Sequence, residues 1–107
     1  MKDNVVKDKS LEFAVRIVNL YKFLVNEQKE FVMSKQILRS GTSIGANIRE
    51  AEQAQSRADF INKLNIALKE ANETEYWLEL LIRTEYITRE QYESINNDST
   101  EINKLLI

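Results

Sequence analysis

The 107-residue sequence contains no cysteine, no histidine and no proline, and only two glycines, Gly41 and Gly45. Without cysteine there are no disulfides and no thiolate metal sites. Without histidine, the commonest general base and most zinc ligand sets are missing as well. The absence of proline leaves helices free of their strongest breaker. No stretch approaches the roughly 18 apolar residues of a membrane span, and the opening MKDNVVKDKS is charged where a signal peptide would be apolar. The expectation is a cytoplasmic protein that engages no membrane.

What remains is a chain rich in helix formers, 43% apolar and 30% charged, of a length that suits one domain spanning residues 1–107. The net charge of −2 conceals a polarity. Residues 1–69 carry 12 basic and 8 acidic side chains, whereas residues 70–107 carry 3 basic and 9 acidic ones. Such a division either marks a basic surface for nucleic acid or provides two faces that attract each other within the protein or between subunits.

Hydrophobic spacing divides the chain into four helices. Ser10 is positioned to cap the first, in which Leu11, Ala14, Val18, Tyr21 and Val25 form one stripe and Phe13, Ile17, Leu20 and Leu24 a second. So wide a face predicts packing against more than one neighbour. A second helix is expected from about residues 31–34, a third from the Ser56–Asp59 capping pattern to about Tyr86, and a fourth from the Thr88–Gln91 capping box. Connections of a few residues predict an antiparallel, up-down-up-down four-helix bundle.

Within the second helix lies RSGTSIGANIREA, residues 39–51. Each glycine there forgoes about 1 kcal/mol of helix propensity relative to alanine. The apolar period nevertheless continues in phase through Ile37, Leu38, Gly41, Ile44, Gly45, Ile48 and Ala51, which places the small residues on the buried face. Close approach of a neighbouring helix is the expected compensation, with the hydroxyls of Ser40, Thr42 and Ser43 bonding back to the preceding turn. The rival expectation is a loop at this point.

The run Gln36-Ile37-Leu38-Arg39-Ser40-Gly41-Thr42-Ser43-Ile44-Gly45-Ala46-Asn47-Ile48-Arg49-Glu50-Ala51 resembles the signature of four-helix-bundle proteins related to the 23S rRNA intervening-sequence protein. In outline that signature is Gln-Leu-x-Arg-Ala-x-x-Ser-Ile-x-x-Asn-Ile-x-Glu-Gly. Phe60, Leu64, Ala67 and the run from Lys69 to Leu81 are similar to the family's third helix. The resemblance implies a bundle that assembles into a ring-like homopentamer. It also implies kinship to the accessory variability determinant of diversity-generating retroelements, a nucleic-acid-binding pentamer that partners a reverse transcriptase.

Individual residues divide between packing and binding. Gly41, Ser43, Ile44, Gly45 and Ile48 are expected in helix packing or an interface. Asn47 and Glu50 are expected there too, setting register through a hydrogen bond between helices or subunits, with ligand or RNA contact as the alternative. Trp77 is expected at the core edge or an interface rather than stacked on a base. Candidates for nucleic acid are Lys9, Arg16, Lys22, Lys35, Arg39 and Arg49, whose repetition around a ring would turn a modest patch into an avid one. Glu70, Glu73, Glu75 and Glu79 crowd one helix, but a di-iron bundle requires Glu-x-x-His pairs. They are expected to form a solvated face with pairs such as Glu79–Arg83. No catalytic residue, metal or cofactor is expected. The predicted role is a non-enzymatic homo-oligomeric scaffold that engages RNA, DNA or a nucleoprotein partner. Its rival is a protein-only module whose acidic C-terminal half docks a basic partner.

Overall fold

Four helices make up the computed structural model, which describes residues 3–107: α1 (Asp3–Asn26), α2 (Met33–Glu52), α3 (Arg57–Arg83) and α4 (Arg89–Leu106). No strand occurs among the described residues. At 1.5 Å per residue the 27-residue α3 is about 40 Å long, close to the 43 Å long axis of the molecule, so the fold is one helix in length. Each helix packs on two neighbours, in the cycle α1–α2–α3–α4–α1, and the backbones of the diagonal pairs stay apart. Contacts that climb α1 descend α2: Lys7 pairs with Glu52, Ser10 faces Gly45 and Ile17 faces Gly41.

The core lies along the axis of this square. Phe13, Ile17 and Leu24 of α1 meet Ile37, Ile44 and Ile48 of α2, Leu78 and Leu81 of α3, and Ile102 of α4. Each fully buried side chain of this size contributes roughly 1.5–3 kcal/mol relative to exposure. Of the two stripes on α1, it is Phe13, Ile17 and Leu24 that turn inward. Leu11 remains 52% exposed, and Ala14, Val18, Tyr21 and Val25 are half-buried.

Helix ends follow local chemistry. Ser56 accepts the Asp59 amide and Thr88 exchanges both bonds of a capping box with Gln91, as the spacing predicts. Ser10 does not cap α1. The helix begins at least seven residues earlier, and Ser10 is buried within it, donating its hydroxyl back to the Lys7 carbonyl. With its hydroxyl satisfied locally, a serine is tolerated on a buried helical face. α3 stops at Arg83 rather than near Tyr86, because Glu85 adopts a left-handed backbone (φ 66°) and the Tyr86 amide folds back onto the Leu81 carbonyl. Lys29 (φ 56°) turns the chain after α1 in the same way, and the Glu30 amide reaches the Leu24 carbonyl.

Candidate functional site

α2 runs without interruption through residues 39–51, and neither glycine has a positive φ, so the loop alternative does not occur. The reason for glycine lies in α1. A Cβ on Gly41 would stand 2.7, 2.9 and 3.0 Å from Cγ1, Cγ2 and Cδ1 of Ile17; one on Gly45 would stand 3.2 Å from the Ser10 Oγ and 3.4 Å from its carbonyl oxygen. Gly41 thus admits a core side chain, and Gly45 admits the α1 backbone. The neighbouring hydroxyls bond back along their own helix as expected: Thr42 to the Leu38 carbonyl (2.7 Å) and Ser43 to the Arg39 carbonyl (2.6 Å). The Ser40 hydroxyl accepts a 3.0 Å bond from Thr74, joining α2 to α3 inside the core.

Ile44 and Ile48 are fully buried, as packing residues should be. Asn47 makes no hydrogen bond to another helix of this chain. Its amide donates to the Ser43 carbonyl of its own helix (2.8 Å), so within this chain it sets no register between helices. Glu50 does cross to α3, but through an exposed 3.5 Å pair with Lys63. With Arg49, Gln53, Ser56 and Asp59 these two border an open cleft of about 690 Å³ at the α2–α3 turn.

Three of the six candidate nucleic-acid residues are engaged by the protein's own acidic half. Lys9 pairs with Glu101 at 3.1 Å, and Arg16 with Asp98 at 2.6 Å, while Arg39 bonds Glu70 at 3.3 Å and also Glu73. Lys22, Lys35 and Arg49 form no ion pair among the described residues and are exposed. The structure does not gather the six on one surface. Lys9 and Arg16 serve the α1–α4 seam, Arg39 serves α2–α3, Arg49 borders the clefts on both flanks of α2, and Lys22 and Lys35 are exposed on α1 and α2.

Trp77 sits half-buried against the core, its indole N–H donating to Glu73 at 3.0 Å and its ring meeting Tyr76 edge-on at 5.1 Å. First this indole bond and then the Arg39 guanidinium hold the Glu73 carboxyl below its ordinary pKa; Glu73 in turn raises that of Arg39. Glu79–Arg83 forms the expected pair within α3. Glu75 instead leaves the acidic face, accepting from Asn103 of α4.

Two features escaped the sequence reading. Glu30, in the linker between α1 and α2, is buried and accepts the amides of Val32, Met33 and Ser34 at 3.1, 3.0 and 2.7 Å, capping α2 from two residues ahead of the usual position. The second is an apolar strip outside the core. Leu11 and Val15 (55% exposed) stand on α1 beside a cleft of about 260 Å³, which Leu11 lines together with Ala14, Thr42, Gly45 and Ala46. The stripe through Leu11 and Ala14, read as a second packing face of α1, was the available signal.

Four helices in a closed cycle, joined by short turns and drawn together at a glycine-bearing seam, define a small all-α helical domain. The chain belongs to the 23S rRNA-intervening sequence protein family, whose sequence model matches residues 2–107. It is similar to a solved structure from Bacteroides thetaiotaomicron VPI-5482, described as a protein with unknown function from the S23 ribosomal protein family. That chain is 98% identical and superposes with a TM-score of 0.94, over 99% of the present chain and 91% of the other. No curated protein matches. No helix among the described residues is long and apolar enough to cross a membrane.

Proposed function

We propose that this protein is a non-enzymatic scaffold, an antiparallel up-down-up-down bundle that self-associates into a ring, with a homopentamer as the expected form. The observation that carries the reading is the exposed Leu11–Val15 strip beside the small-residue cleft of the α1–α2 seam. Apolar side chains exposed together next to a concave surface mark an interaction site. Tyr76 (59% exposed) on α3, which lines a separate cleft with Leu80, supplies a second, different patch. Two unlike patches are what a head-to-tail interface requires, and such an interface closes into a ring when its rotation permits. The opposed order of the contacts along α1 and α2 supports the antiparallel arrangement.

Sedimentation velocity tests the scaffold. Wild type should sediment as one discrete oligomer, and Leu11→Glu with Val15→Glu should reduce it to a folded monomer. A wild type that stays monomeric at every concentration, or a double variant of unchanged mass, would remove the reading.

Engagement of RNA, DNA or a nucleoprotein partner such as a reverse transcriptase is the second part of the proposal. It rests on Lys22, Lys35 and Arg49, multiplied by the number of copies in the ring. Titration against labelled RNA and single-stranded DNA should give binding that weakens as salt rises; no binding at low salt would eliminate this part and leave a scaffold for proteins alone. The alternative, a protein-only module that docks a basic partner through its acidic half, is less well supported, since Glu70, Glu73, Asp98 and Glu101 are already paired internally.

A further inference from the structure

α4 is the helix least committed to the core. It buries Ile95, Ser99 and Ile102, whereas α2 buries seven residues along a helix only two residues longer. Polar bonds close both of its seams instead. On the α1 side the Arg16 guanidinium donates to Asp98 (2.6 Å), to the Ser94 hydroxyl (2.9 Å) and to the Ser94 carbonyl (3.1 Å), and Lys9 pairs with Glu101. On the α3 side Glu75 accepts from the Asn103 amide, with the Ser99 hydroxyl 3.5 Å away. The side-chain amide oxygen of Asn103, Oδ1, is buried there without a partner, which weakens the docked state.

Two further features favour release. A cleft of about 420 Å³, lined in part by Leu20, Phe23 and Ile95, already lets solvent reach the α1–α4 seam beside the first half of α4. The turn that carries α4 holds Glu85 in the left-handed region, where a side chain disfavours the backbone. Opening of the turn relieves that strain.

We propose that α4 undocks as one unit about the turn at residues 84–88, under the control of ionic strength, and bares the apolar core between α1 and α3. Helix formation is cooperative, so α4 moves whole rather than residue by residue; such sub-global opening needs little buried apolar contact to be broken. Arg16, Lys9, Asp98 and Glu101 have side chains 39–53% exposed, within reach of counterions. Salt therefore screens the clasp. The α1–α2 seam carries one ion pair, Lys7–Glu52, but closes on Ile17 and two glycines, so salt loosens it less.

Hydrogen exchange of the full chain, read by mass spectrometry at ~0.05 M and ~1 M salt, tests the proposal. α4 amides should exchange at least about tenfold faster than those of α2 at low salt, and roughly three- to tenfold faster again at high salt, as weak exposed ion pairs are screened. Arg16→Met retains the aliphatic stem; it should bring α4 near its high-salt rate already at low salt and remove most of the salt response. A common exchange rate for α4 and α2 in wild type overturns the proposal. So does a response to salt and to Arg16→Met that is equal in all four helices.

Discussion

Replacing Gly41 with alanine isolates the physical reason for the α2 sequence. The new methyl meets three carbons of Ile17 at 2.7–3.0 Å, inside any ordinary carbon–carbon contact. Ile17 cannot swing aside readily, because it is β-branched, stiff about χ1 and fully buried. Overpacking of this kind costs about 1–3 kcal/mol, against about 1 kcal/mol gained in helix propensity. The net expectation is a loss of up to about 2 kcal/mol. Gly45→Ala provides the control. Its methyl meets Ser10 at 3.2–3.5 Å, so the propensity gain and the crowding nearly cancel, and a change within about 0.5 kcal/mol of zero is expected. Chemical denaturation followed by far-ultraviolet circular dichroism, at one fixed protein concentration, reads both. Ile17→Ala destabilises the protein by itself, by about 2–5 kcal/mol, but in that background Gly41→Ala should become stabilising by up to about 1 kcal/mol, since the obstructing carbons are gone. If Gly41→Ala stabilises the otherwise wild-type protein, or behaves alike in both backgrounds, close approach is not what fixes glycine there.

Three other outcomes follow from the same geometry. Glu30→Ala strips the acceptor from three amides at the start of α2, and a loss of about 2 kcal/mol is expected from the cap together with its charge–dipole component, while Glu30→Gln should lose less; equal stability of all three proteins by thermal melting would contradict the capping role. Thr74→Val leaves the buried Ser40 hydroxyl with one long bond to the Ile37 carbonyl and should cost about 1–2 kcal/mol, whereas Thr74→Val with Ser40→Ala should recover most of it, a non-additivity that a double-mutant cycle measures. Glu73 has a folded-state pKa below its unfolded one, so it adds stability above the ordinary carboxylate range and loses it as pH falls through the folded value; Glu73→Gln should flatten the acid limb of the stability–pH profile slightly, the group being partly solvent-screened, and an unchanged limb would refute the assignment.

The helices and their inner faces were legible because each is specified by neighbours in sequence. Ile37, Gly41, Ile44, Ile48 and Ala51 keep one period across two glycines, and that period outweighs about 2 kcal/mol of forgone propensity. Ser56 and Thr88 read correctly as caps because the residue that answers each lies three positions on. Ser10 has the same side chain in a different setting: Val6, one turn earlier, is also buried, so the helix runs past it and the hydroxyl turns back to Lys7. Glu30 was illegible for the opposite reason. Its carboxylate reaches the amides only after Lys29 has turned the chain left-handed, a conformation no local pattern announces in a lysine.

Charge was the least legible property, because its meaning depends on which helices adjoin. The +4 and −6 halves offer two readings in sequence, an outward basic surface or mutual attraction. Closure of the cycle through α4 and α1 brings Glu101 to Lys9 and Asp98 to Arg16, and the α2–α3 contact brings Glu70 and Glu73 to Arg39. Much of the polarity is thereby used within one chain. Of the six candidates it leaves Lys22, Lys35 and Arg49 outside any ion pair among the described residues, and Lys29, Arg57, Lys69 and Lys104 are likewise unpaired. On the proposed scaffold reading, repetition of the chain multiplies these cations, and a monomeric variant that keeps them should lose salt-dependent binding along with assembly.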